Sequence, residues 1–82
     1  MTELKEENLI EMAQFKDDFK AEYLQVKSIK AQIHKLIVKI QAGTAEVKPA
    51  SPMELLKHQE DVLNEYLLTL ELRAEIEKIE LD

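Results

Sequence analysis

One narrow apolar seam runs unbroken through the first half of the chain. Met12, Phe15, Phe19, Glu22, Val26, Ile29, Ile33, Leu36 and Ile40 follow one another at alternating spacings of three and four, and only Glu22 is polar. That spacing holds one edge of a helix against a partner helix over many turns. A chain built this way folds by pairing helices.

Thr2 to Ala42 contains neither proline nor glycine and reads as one long helix. At 1.5 Å per residue it would span roughly 60 Å. Gly43 stands where a left-handed residue would end it. The connection over 43–51 holds Gly43, Thr44 and Pro49 and has no periodicity. A second helix is expected over 52–81, with Ser51 as its cap, Pro52 in its first position and Glu54 completing a capping box. No useful run of alternating polarity appears, so strands are not expected. The fold class read from this pattern is all-α: a single 82-residue domain, an antiparallel two-helix hairpin with helices over about 2–42 and 52–81.

A register follows if Ile40 lies opposite Leu55, so that facing residue numbers sum to about 95. Leu36 then faces Gln59, Ile33 faces Val62, Ile29 faces Tyr66 and Phe19 faces Ile76. Glu22, the odd acid of the seam, meets Arg73, the only arginine, as a structural ion pair. The first ~10 residues overhang the second helix.

Each helix carries more apolar surface than one neighbour covers. Ile10, Leu24, Ala31 and Val38 share a position away from the seam. On the second helix Leu55, Val62 and Ile76 form one row, Leu56, Leu63 and Leu70 the next, and Leu67, Ala74 and Leu81 widen it. A helix apolar around most of its girth is buried by several partners. Self-association is therefore expected, with a four-helix dimer as the minimum.

Charge is unevenly placed within a net −6. Residues 1–19 carry six acids and two lysines, 20–48 six lysines and two glutamates, and 49–82 nine acids and three bases. An acidic total speaks against extended nucleic-acid binding, which needs a broad basic surface. The basic middle leaves room for one compact anion. With no cysteine there is no disulfide framework, and a cytoplasmic setting is the expectation. The N-terminal stretch lacks the apolar core of a secretory signal, and no apolar run is long enough for a bilayer.

No enzymatic constellation stands out: there is no glycine-rich loop, no nucleophile motif and no sheltered carboxylate pair. No cofactor is implied. His34 and His58 come near one level but lack the spacing of a bundle metal site, so no metal is expected. Gln59, Tyr66 and Arg73 are more informative, being seven apart on one face inside an apolar stripe. Buried polar groups need partners. Internal pairing of Arg73 with Glu22 is one answer. A ligand pocket between two hairpins is another, with Tyr66 stacked on a base, Arg73 forked onto a phosphate, and Lys27, Lys30 and Lys35 adding positive potential.

Leu56, Gln59, Leu63, Tyr66, Leu70 and Arg73 at their spacing resemble the second helix of a group of small helical-hairpin proteins encoded by bacteriophages. Ile33, Lys35, Leu36 and Ile40 resemble the end of their first helix. The similarity covers roughly residues 19–76. Some such hairpins resemble the phage anti-CBASS sponges, which oligomerise and sequester cyclic nucleotide immune signals without cleaving them. The resemblance implies a non-enzymatic, oligomeric binding protein in a host cytoplasm that captures a small anionic nucleotide between protomers, with Tyr66 and Arg73 as ligand residues. This chain's first helix and its proline-containing turn are longer than in the compact members. The alternative is a helical adaptor or assembly protein that binds another protein through its spare apolar rows, among them Leu24, Val38, Leu68 and Leu72.

Overall fold

The structure is a computed structural model. It describes the backbone of residues 6–81 and the side chains of residues 12–81. Two helices form an antiparallel hairpin: α1, Glu6–Ala42, and α2, Met53–Glu77. The hairpin measures 65 × 21 × 21 Å. Among the described residues there is no strand. The expected overhang of the first ten residues lies largely outside those whose side chains are described.

α1 ends as its sequence dictates. Gly43 takes φ 79°, and its N–H donates to the Ile40 carbonyl while Thr44 N–H donates to that of Lys39, at 3.1 and 2.9 Å. This is a complete left-handed helix stop, and glycine enters it without steric cost.

The start of α2 differs from expectation by one residue. Pro52, not Ser51, is the N-cap, at φ −70° and ψ 157°, and no side chain caps the helix. The capping box of Ser51 and Glu54 is therefore not formed. The Pro52 carbonyl accepts from Leu55 and Leu56 N–H at 3.0 and 3.2 Å instead, and Glu54 in the first turn still opposes the positive helix end. α2 also stops at Glu77, short of the expected Leu81. Lys78 turns left-handed at φ 57°, and Ile79 N–H donates to the Ala74 carbonyl at 2.8 Å. That turn folds Ile79 and Leu81 back onto the core.

The core shows which heptad positions meet. Phe19, Tyr23, Val26 and Ile37 are buried on α1, with Lys30, Ile33 and Ile40 partly buried between and beyond them. On α2, Leu56, Leu67, Leu70 and Ala74 are buried, with Met53, Glu60 and Leu63 partly buried. Both sets alternate in steps of three and four. The seam thus shares Phe19, Val26, Ile33 and Ile40 with the expected one but closes with Tyr23, Lys30 and Ile37 rather than Glu22 and Ile29, while Leu36 is partly buried beside Ala45 and Val47 of the loop. Ile37 is 4% exposed and Ile29 37%. The helix is rotated by one residue step about its axis. Lys30 and Glu60 keep seam positions because each buries its stem while the charged head reaches water.

The expected register is nearly right in level and wrong in face. Tyr23 pairs with Glu71 and His34 with Glu60, close to the assumed sum. The facing partners assigned to Ile40, Leu36, Ile33, Ile29 and Phe19 do not face the seam, however. Leu55, Val62, Tyr66 and Ile76 are exposed, and so is Gln59.

Candidate functional site

Rotation of the seam leaves two unlike long flanks. One flank is bounded by the row Phe15, Glu22, Ile29 and Leu36 on α1 and by Gln59, Tyr66 and Arg73 on α2, with Leu55, Val62 and Ile76 next around the helix. Both rows fall on the same side of the hairpin, because Tyr66 Oη donates to Glu22 across the junction. Phe15, Ile29, Leu55, Val62, Tyr66 and Ile76 all stand exposed there, Ile76 at 77%.

Two of the polar side chains on this flank, Tyr66 and Arg73, already have partners. Arg73 Nε donates to Glu77 at 2.9 Å, and its guanidinium lies over the Phe19 ring, 4.9 Å from the centroid. Phe15 tilts against Phe19 with centroids 6.3 Å apart. The expected Glu22–Arg73 ion pair is not made. Glu22 takes the Tyr66 phenol instead, and Arg73 turns one helical turn along to Glu77, where an i,i+4 partner is within easy reach. The hydrogen bond to Glu22 raises the Tyr66 pKa, helped by desolvation and by the carboxylate's charge. The Glu77 hydrogen bond raises that of Arg73, opposed by desolvation and aided by the charges of Glu77 and then Glu22.

The opposite flank is polar. Tyr23 Oη donates to Glu71 at 2.9 Å, His34 Nδ1 meets Glu60 at 2.5 Å, and Lys27 Nζ lies 5.6 Å from the centre of the Tyr23 ring. These groups line an open groove of about 640 Å³ with Lys30 and Asn64. Lys27, Lys30 and His34 share this groove with Glu60 and Glu71, so its bases and acids stand side by side. Among the described residues no group of three metal-ligating side chains occurs. No described helix is long and apolar enough to cross a membrane.

The residues expected to hold a ligand are therefore divided within one protomer. Gln59, Tyr66 and Arg73 share the apolar flank. Lys27 and Lys30 line the groove on the polar flank, and Lys35 is exposed on the outer side of α1. The contribution of Tyr23, Lys30 and Ile37 to the seam was missed. A second, equally regular phase, Phe19-Tyr23-Val26-Lys30-Ile33-Ile37-Ile40, was its available signal, and α2 repeats that pattern from Met53 to Ala74.

This geometry defines an all-α antiparallel helical hairpin with one apolar and one polar flank. Comparison with known proteins finds no matching family, no similar curated protein and no similar solved structure.

Proposed function

We propose that this chain is a non-enzymatic helical interaction protein that works by packing its apolar flank against helices of a partner. One observation supports the reading: Phe15, Ile29, Leu55, Val62 and Ile76 stand exposed along one side of the hairpin, a longer row than Leu24, Val38, Leu68 and Leu72, which are exposed on its other faces. Contiguous exposed apolar surface marks interaction sites, whereas isolated exposed residues are ordinary. Nucleotide capture, the reading the phage-hairpin resemblance implies, takes second place. Its lysines stand away from Tyr66 and Arg73 within a protomer, and both of those side chains are engaged by Glu22 and Glu77.

Site-specific photo-crosslinking in the cell that makes the protein tests this. A photoreactive residue at Val62 should yield discrete adducts, and one at Asn64 on the polar flank should not. Equal yields from both positions would remove the reading. Calorimetry with cyclic di- and trinucleotides should give no heat; tight binding would restore nucleotide capture to first place.

A further inference from the structure

We infer that the occupant of the apolar flank is a second copy of this chain, docked face to face, with each helix running antiparallel to its own counterpart about a two-fold axis that crosses near Tyr66. This deepens the reading of the flank as an interaction surface and rests on it.

Area supplies the first argument. The chain exposes 6649 Å², whereas a folded monomer of its 9.5 kDa mass would expose about 5,000 Å² by the usual size scaling. The excess, about 1,600 Å², is twice the roughly 800 Å² that each partner gives to a standard interface. That surplus belongs to the whole of a rod 65 × 21 × 21 Å, and a flank running along the rod can supply the half of it that a dimer needs.

Charge chooses the direction. At the open end of the hairpin, residues 6–20 and 71–81 carry nine acids against four bases. At the loop end, residues 34–60 carry four lysines against three glutamates. A parallel dimer would set the two acidic ends side by side. An antiparallel one lays each acidic end over the mildly basic loop end of the other copy, where like charges no longer oppose each other.

Row symmetry locates the axis. Leu55 and Ile76 stand nearly equidistant from Tyr66 along α2, so rotation about the level of Tyr66 brings Leu55 of one copy onto Ile76 of the other. Two of the polar groups that such docking covers are already answered inside each protomer, the Tyr66 phenol by Glu22 and Arg73 Nε by Glu77. The Gln59 amide and the remaining Arg73 N–H groups are left to pair with the second copy or with water at the rim.

The absence of native cysteine makes the test clean. Sedimentation equilibrium of the purified chain at micromolar concentration should give twice the 9.5 kDa chain mass. A short bis-maleimide should join Tyr66→Cys chains to themselves, and should join Leu55→Cys chains to Ile76→Cys chains. A chain carrying Ile29→Lys and Val62→Lys should sediment as a monomer with its helical circular dichroism retained. A monomeric wild-type chain at 100-fold higher concentration would overturn the inference. So would crosslinking of Ile76→Cys to Phe15→Cys between chains without any Leu55–Ile76 product, the signature of a parallel pair. If the chain is monomeric while Val62 still crosslinks to other proteins in the cell, the second copy falls and the interaction flank stands. If neither holds, both fall.

Discussion

The two flanks of this hairpin share one backbone and one seam, yet they meet water differently. Across the polar flank the helices are joined by Tyr23–Glu71 and His34–Glu60, and long side chains cover the seam from outside. Across the apolar flank, among the described residues, Tyr66–Glu22 alone joins them, while Ile29, Val62 and Ile76 face outward. A hairpin that only had to fold could have spread its apolar residues evenly. Here Leu24, Val38, Leu68 and Leu72 are exposed away from the apolar flank, but the row of Phe15, Ile29, Leu55, Val62 and Ile76 is longer: the polar flank closes the hairpin, and the apolar flank remains to be covered.

The two sides should differ most when one isoleucine of the seam and one of the apolar flank are truncated. Ile37→Ala removes a buried side chain and should cost about 2–5 kcal/mol of unfolding free energy in urea titration. Ile29→Ala should cost less at low protein concentration, because the side chain is already partly in water. If the flank is covered by a second copy, the Ile29→Ala deficit should grow with protein concentration and the Ile37→Ala deficit should not. Equal costs at every concentration would mean that the two positions are not distinguished as the seam requires.

That pair of isoleucines also shows what was legible in the chain. The hairpin, the glycine stop at Gly43 and half of the seam were readable, because Phe19, Val26, Ile33 and Ile40 belong to either possible phase. The other half was not. Ile29 and Leu36 look more like seam residues than Lys30 does, and apolarity alone favours them. What decides is the second helix: Leu67 and Ala74 are available only to the phase that contains Tyr23 and Ile37, and Glu60 and Glu71 draw His34 and Tyr23 to that side. Such information is held jointly by two helices, and a reading of each by itself does not contain it. The division of Lys27 and Lys30 from Tyr66 and Arg73 has the same origin, since a one-step rotation moves a residue from one flank to the other.

On the polar flank the Tyr23–Glu71 bond joins a buried ring to an exposed acid. Tyr23→Phe should cost about 1 kcal/mol, the usual net worth of such a bond, with no change in association state by sedimentation. A change in association would place polar-flank residues in the docking surface and blur the division between flanks. Lys78, at the end of the same flank, offers a gain of similar or smaller size. A non-glycine residue at φ 57° carries a steric penalty that glycine lacks. Lys78→Gly should therefore raise stability by roughly 0.5–1 kcal/mol by thermal unfolding, after the loss of chain entropy in the unfolded state is offset. Gly43→Ala should do the reverse at the other helix end, where φ is 79°.

The smallest effect belongs to the Tyr66–Glu22 bond of the apolar flank. Glu22 favours the protonated Tyr66 phenol, so the folded pKa lies above the ordinary tyrosine value. A raised pKa means that the folded state holds the proton more tightly than the unfolded chain does. Whatever stability this provides is fully present below the unfolded tyrosine pKa and is lost as pH rises through the folded value. Glu22→Gln removes the negative charge while keeping an acceptor, so the Tyr66 ring signals in an NMR titration should shift at a pH closer to that of a free tyrosine. If Glu22→Gln leaves the midpoint where it was, the phenol does not rely on Glu22. The apolar flank would then have no bond between its two helices, and a polar group presumed answered would be left for the second copy to satisfy.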